Sequence, residues 1–114
     1  MRMWNVNPKY LCKNHLLGEH KELHMLIGSI NKGMNIKDSK YVTYGLVELH
    51  NIYNRHEELV NEFSNRNYNH KSPISKCSIV AGNINISDNI KELKHRCSKC
   101  NERINNYETT NSIT

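Results

Sequence analysis

Residues 9–31 read KYLCKNHLLGEHKELHMLIGSIN, and this stretch decides the fold. Asn7-Pro8 ahead of it is typical of a helix start, and Lys32-Gly33 after it is typical of a helix end. Between these signals the apolar side chains recur at spacings of three and four residues, which places them on one face of an amphipathic helix. They are Leu16, Leu17, Leu23, Leu26, Ile27 and Ile30.

Two more stretches have helical character. Residues 45–65 carry the same periodicity without a proline, which favours a second amphipathic helix. Ser87 or Asp88 can cap a last helix that extends toward Ile104. Residues 77–86 alternate only weakly, so we expect a loop there rather than a short strand.

The length of the chain sets the number of domains. A chain of 114 residues has room for one modest core. The sequence therefore predicts an all-α fold, a compact single-domain bundle of three or so helices with long loops. That domain is expected to span residues 1–104, with a small zinc-stabilised segment at 94–104 and a flexible polar tail at 105–114.

The charge balance favours a polyanionic partner. Sixteen Lys and Arg against eleven Asp and Glu give a formal charge of +5, and seven His can add to it at lower pH. Nucleic acid fits this balance, although a mild excess of charge also serves solubility alone. No apolar run reaches the roughly 20 residues of a membrane span and no signal peptide is visible, so we expect an intracellular protein without a membrane partner.

The densest group of titratable side chains is HLLGEHKELH, which begins at His15. On a helix, His15, Glu19 and Glu22 share one face. The alternative interpretation is an ordinary solvated face, since charged residues are common on helices. His20 and His24 could reach one metal ion, but the glutamate of the H-E-x-x-H zinc-protease pattern is not in its usual place.

Four short motifs follow one another along the chain. They are R-x-W-x-x-x-P-K-x-L from Arg2, H-L-L-G-E-H-x-E from His15, R-H-E-E-L from Arg55 and R-x-Y-N-H-K-S-P from Arg66. Together they resemble the pyrimidine-dimer DNA glycosylase and abasic-site lyase family, of the phage endonuclease V type, over residues 1–74. The resemblance implies a compact helical DNA-repair enzyme of a bacterium or virus. It would act as a monomer on damaged double-stranded DNA and need no cofactor for catalysis.

The resemblance also implies the catalytic groups. In this family the N-terminal α-amine attacks the sugar C1′ and a first-helix glutamate assists, which correspond here to Met1 and Glu22. An α-amino group has a pKa of about 7.7 to 8.0, so more of it is neutral near pH 7 than of a lysine. Arg2 is too large for the usual removal of a leading methionine, so Met1 is expected to remain. The implied reaction releases the base, forms a Schiff base and cuts the strand by β-elimination on the 3′ side, with Glu22 stabilising the cationic sugar and moving protons.

Seven side chains are predicted to contact DNA. Some match family positions beside the catalytic groups, and the others lie on the second predicted helix or on the aromatic, basic turn after it. They are Arg2, His15, Lys21, Arg55, His56, His70 and Lys71.

The chain departs from the family pattern in two places. The family has a further arginine one turn after the glutamate, near Met25, where this chain has no basic residue. It also has an aromatic, basic tail, where this chain carries a basic C-x-x-C at Cys97 and Cys100. That spacing is half of a zinc site, and Cys77 and His95 are candidates to complete it, which makes a structural zinc possible.

A second class of function remains open from the sequence. The chain could be a non-catalytic nucleic-acid-binding or regulatory protein of the same fold. The C-x-x-C segment would then form a zinc-stabilised contact surface.

Overall fold

The computed structural model describes residues 1–69 and 72–113, with side chains described as far as residue 108. In this part of the chain the regular structure is entirely helical, which confirms the all-α prediction, with five α-helices where about three were expected. They are α1 (Lys13–Asn31), α2 (Lys40–Thr43), α3 (Ile52–Asn65), α4 (Ile86–Arg96) and α5 (Ser98–Ile113), with 3-10 turns at Pro8–Tyr10 and Leu49–Asn51. None of the described helices is long and apolar enough to cross a membrane.

The first two predicted helices begin later than the sequence pattern indicated. Asn7 caps a separate 3-10 turn by accepting a hydrogen bond from the Lys9 amide, and the chain is then extended at Leu11 and Cys12. In the second stretch, Gly45 has a positive φ of 69° and Glu48 is extended, so α3 starts only at Ile52.

The last predicted helix is two helices. The chain is extended at Cys97, with φ −134° and ψ 108°, and this one residue separates α4 from α5. Asn85, rather than Ser87 or Asp88, caps α4, because its side chain accepts a hydrogen bond from the Asp88 amide. The backbone of α5 continues to Ile113, where the sequence predicted a polar tail.

The core joins the start of the chain to its end. Helix α1 packs on α3, while α5 packs on α4 and on the Pro8–Tyr10 turn. The apolar face predicted for α1 is largely buried, as the periodicity required. Fully buried side chains come from every part of this arrangement: Met3, Leu11, Leu16, Leu23, Leu26, Val47, Leu49, Ile52, Leu59, Leu93, Cys100 and Ile104.

Residues 72–85 form an irregular segment held by hydrogen bonds, as the loop prediction for 77–86 required. The amide of Ile84 donates to Glu48 Oε2 at 2.6 Å, and the Leu49 amide donates to the Ala81 carbonyl at 2.9 Å. Gly82 has a φ of 98°, and a Cβ there would lie 2.1 Å from the Val47 carbonyl oxygen. Only glycine fits at this close approach.

The N-terminal segment is fixed on the core, although chain ends usually fray. Met3 is fully buried, and its amide donates to the Leu46 carbonyl at 2.8 Å. Asn89 of α4 donates to the Trp4 carbonyl at 2.8 Å and accepts from Arg2 Nη2 at 2.8 Å. The residues next to Met1 are therefore held from two sides.

Candidate functional site

The amine of Met1 lies beside the carboxylate of Glu22. The distance from the amine nitrogen to Glu22 Oε2 is 3.9 Å. This oxygen is buried and, within the described residues, accepts no hydrogen bond. The charged Met1 amine forms an ion pair with this oxygen, so a carboxylate lies where it can stabilise a cation at the amine.

A cavity of about 230 Å³ opens next to Glu22. The guanidinium of Arg2 lies over the Trp4 ring at 4.0 Å from its centroid, and that of Arg96 lies at 5.3 Å. Burial and the charge of Arg96 lower the pKa of Arg2, while Glu92 acts in the opposite direction. The cavity thus combines two arginines, the groups that bind phosphate most readily, with two carboxylates, of which Glu19 is paired with Arg55. Its lining residues are Arg2, Trp4, Asn14, His15, Gly18, Glu19, Glu22 and Arg96.

Arg96 is a site residue that the sequence analysis missed. It comes from the end of α4, whereas the family pattern places its additional arginine near Met25 on the first helix. The only signal in the sequence was the basic character of residues 94–99 around the C-x-x-C. Its position beside Trp4 depends on the packing of the chain's two ends.

The structure separates the predicted DNA contacts into different environments. Arg2 and His15 line the cavity beside Glu22. Lys21 is exposed but lines a different cavity, with His20 and His24. His70 and Lys71 lie outside the described residues.

Arg55 and His56, which the sequence predicted to contact DNA, are buried in the structure. Arg55 is 1% exposed, and its guanidinium donates to both carboxylate oxygens of Glu19, at 2.5 and 2.9 Å, and to the Val6 carbonyl. His56 is 2% exposed. Both residues lie in the interface between α1 and α3. The charge of Arg55 can be buried there because Glu19 of α1 pairs with it, and helical periodicity in the sequence does not reveal such a partner.

Four ligand-type side chains converge where α1 begins and where α4 gives way to α5. Cys12 and His15 come from the first junction, and Cys97 and Cys100 from the second. The Cys12 Sγ lies 3.3 Å from His15 Nδ1 and 3.9 Å from Cys97 Sγ, while Cys100 Sγ lies 3.5 Å from His15 Nδ1. We call these four residues the cysteine cluster.

The spacing in the cysteine cluster fits a tetrahedral zinc ion. With Zn–S near 2.3 Å and Zn–N near 2.05 Å, ligand atoms should lie about 3.8 Å apart for two sulfurs and about 3.5 Å for sulfur and nitrogen. The Cys12 and Cys97 sulfurs lie 3.9 Å apart, two of the sulfur–nitrogen separations are 3.3 and 3.5 Å, and all four ligand atoms lie within 4.8 Å of one another. Backbone amides also donate to the sulfurs, from Cys12 to Cys100 and from Cys100 to Cys97. Such donors stabilise thiolates, the form that binds the metal.

Protonation in the cysteine cluster is uneven. Burial raises the pKa of Cys100 to about 12. Burial acts in the same direction on Cys97, but hydrogen bonds from Cys100, Cys12 and Lys99 outweigh it and lower the pKa of that thiol. Burial and the charge of Arg96 lower the pKa of His15 against the opposing effect of Glu19, which favours the neutral imidazole that metals require. A bound metal would have to displace the proton of Cys100.

Two of the four predicted metal ligands differ from the residues that the structure assembles. Cys97 and Cys100 are in the cysteine cluster, but Cys12 and His15 take the places that the sequence analysis gave to Cys77 and His95. The signal for the second pair was present, since Cys12 and His15 have the same spacing as Cys97 and Cys100. It was overlooked because His15 was assigned to DNA and Cys12 stands alone among cysteines in its part of the sequence.

Comparison with known proteins gives one match. A family model described as pyrimidine dimer DNA glycosylase matches residues 1–76. No curated protein and no solved structure shows a significant match to the chain. The matched residues include Met1, Glu22 and the first half of the cysteine cluster, whereas Arg96 and the C-x-x-C lie beyond it.

Proposed function

The chain belongs to the pyrimidine dimer DNA glycosylase family, and on that premise we propose that it is a DNA-repair glycosylase with abasic-site lyase activity on damaged double-stranded DNA. The observation that carries this proposal is the 3.9 Å approach of the Met1 amine to the buried Oε2 of Glu22, which accepts no hydrogen bond from the described residues. An anchored amine next to a carboxylate can act as a nucleophile whose cationic product is stabilised.

The proposed reaction begins with the neutral amine of Met1. Its lone pair forms a bond to C1′ of the damaged nucleotide as the bond from C1′ to the base breaks, and the base leaves with that electron pair and acquires a proton. Opening of the sugar ring gives a Schiff base between Met1 and C1′. Loss of a proton from C2′ then expels the 3′ phosphate by β-elimination. Glu22 stabilises the positive charge on the sugar and the imine, and relays the protons.

The arginines beside Glu22 have a separate role in this proposal. C1′ of a stacked nucleotide is out of reach, so the damaged nucleotide has to leave the helix. Arg2 and Arg96 would bind the phosphates that flank it and hold C1′ near the amine.

We also propose that the cysteine cluster holds a structural zinc ion. The ion would join the start of α1 to the α4–α5 junction and would fix the ring of His15 at the edge of the cavity. Trp4 already meets that ring edge to face, with centroids 5.8 Å apart. In this proposal zinc supplies stability and the chemistry belongs to Met1 and Glu22.

Borohydride trapping tests the proposed chemistry directly. Protein with a verified free Met1 amine is incubated with duplex DNA containing a thymine dimer or an abasic site, and borohydride is added. We expect a covalent adduct that peptide mapping assigns to Met1, because borohydride reduces a Schiff base to a stable amine. The matched control carries one additional residue ahead of Met1, which displaces the amine and should abolish the adduct.

Two outcomes would overturn the proposal. An adduct on a lysine side chain would assign the nucleophile elsewhere. No adduct with either DNA, together with tight DNA binding, would favour the non-catalytic binding protein.

A further inference from the structure

Three histidines converge on the side of α1 that carries Lys21 and its cavity. His20 and His24 come from α1 and His56 from α3. The centroids of the three rings lie 4.6, 4.8 and 5.1 Å apart, and one ligand nitrogen from each ring lies within 4.8 Å of the other two. His20 and His56 are 3% and 2% exposed, so two imidazoles are buried together.

The closest pair has the separation that a shared metal ion requires. His20 Nε2 lies 3.1 Å from His56 Nε2. Two imidazole nitrogens bound to one tetrahedral zinc at about 2.05 Å each would lie about 3.3 Å apart. His24 brings a third ligand nitrogen within 4.8 Å of both.

A carboxylate orients one of the three rings for metal binding. Glu57 Oε1 lies 3.1 Å from His56 Nδ1. Since a carboxylate only accepts, this contact places a proton on Nδ1, and in the neutral ring it leaves the lone pair on Nε2, the atom that contacts His20. Histidine ligands of metals commonly donate their second N–H to a carboxylate in this way.

We propose that His20, His24 and His56 form a second metal site, separate from the cysteine cluster, for a divalent first-row transition metal such as zinc. Three neutral imidazoles suit zinc, copper and nickel better than the oxygen-seeking magnesium and calcium. The ion ties α1 to α3. Two of the three ligands, His20 and His24, also line a cavity of about 480 Å³ together with Leu17, Lys21 and Ser72, which gives room for a fourth ligand. A water molecule or a small anion near the charge of Lys21 completes the coordination.

Metal titration distinguishes this site from the cysteine cluster. Metal-free, reduced protein is titrated with Co²⁺ alone and then with Zn²⁺ alone. Thiolate ligands give cobalt a strong charge-transfer absorption, which imidazoles do not, so the two sites differ in their spectra. We expect wild type to bind one cobalt ion that gives no thiolate absorption. His24→Ala should lose that ion, while the thiolate absorption from the cysteine cluster should be unchanged. The matched control is His50→Ala, which removes an exposed histidine of the same chain.

Two further variants test the geometry. Glu57→Gln keeps all three ligands but weakens the orientation of His56, so the affinity for this ion should fall about 10- to 100-fold. His24→Cys supplies a ligand again and should add thiolate absorption to that ion, which shows that the altered chain still folds. The proposed site is refuted if every ion that wild type binds gives thiolate absorption. It is also refuted if His24→Ala binds an ion that gives no thiolate absorption as tightly as wild type does.

Discussion

A substitution of Glu22 tests the role of a single carboxylate in the proposed reaction. Glu22→Gln keeps the size of the side chain but removes the charge that lies 3.9 Å from the Met1 amine. We expect turnover of abasic-site DNA to fall about 10²- to 10⁴-fold, the usual contribution of a proton-transfer group, with DNA affinity largely unchanged. Strand cleavage and a gel-shift assay measure the two quantities. Glu102→Gln, an exposed carboxylate elsewhere on the chain, should behave as wild type; unchanged turnover in Glu22→Gln would remove Glu22 from the mechanism.

For Arg55 we predict an effect on the stability of the fold instead of an effect on DNA binding. Arg55→Leu would leave Glu19 buried without its partner, and breaking a buried ion pair in this way costs about 3–5 kcal/mol. Urea denaturation should show that loss in the free energy of unfolding. The exposed cation control, Lys91→Leu, should change it by less than about 0.5 kcal/mol. A folded Arg55→Leu protein of normal stability with weakened DNA binding would instead restore the sequence-based assignment of Arg55 to DNA.

At the scale of the helices, the sequence predicts what depends on neighbours along the chain. The periodicity of Leu16, Leu23 and Leu26 is local, and α1 was found from it. The break between α4 and α5 at Cys97 contains no glycine or proline that would reveal it in the sequence. Contacts of Cys97 with Cys100 and with the start of α1 hold the chain extended there. The residues of the candidate site divide in the same way, into those that the sequence indicated and those that long-range packing brings together. Met1 and Glu22 were assigned by family resemblance, whereas long-range packing determines the position of Arg96.

In the proposed mechanism, Arg96 of α4 takes the role of the family arginine that has no counterpart near Met25. Arg96 is 46% exposed, so its charge can reach a phosphate while its guanidinium lies over Trp4. We expect Arg96→Gln to weaken binding to DNA of any sequence and to reduce the slope of log affinity against log salt concentration by about 1, as the loss of one phosphate contact does. Fluorescence anisotropy over a range of salt concentrations gives this slope. Lys91→Gln, on the same helix but not in the cavity lining, is the matched control, and an equal slope in both variants would contradict a phosphate contact at Arg96.

At the scale of the whole molecule, the end of the chain completes a site that the beginning defines. The family match ends at residue 76, yet α4 supplies Asn89 and Arg96, and the α4–α5 junction supplies two residues of the cysteine cluster. Arg103 of α5 also donates to the Lys9 carbonyl at 2.8 Å. These contacts hold α4 and α5 against the segment that positions Met1. Loss of the C-terminal helices should therefore disturb the amine as well as the core.

The proposed zinc ion makes this connection testable. Removal of zinc should lower the melting temperature, because an ion present at about 1,000 times its dissociation constant stabilises the fold by about 4 kcal/mol. In a His24→Ala background, which removes the other proposed zinc site, Cys100→Ser and Cys12→Ser should each abolish that zinc-dependent shift and the thiolate absorption of cobalt, whereas Cys77→Ser should retain both. Cys77 is the matched control, since it is the cysteine that the sequence analysis placed in the site and the structure does not. If Cys77→Ser lost the zinc response and Cys12→Ser kept it, the ligand set predicted from sequence would be correct and the junction of α1 with α4 and α5 would depend on packing alone.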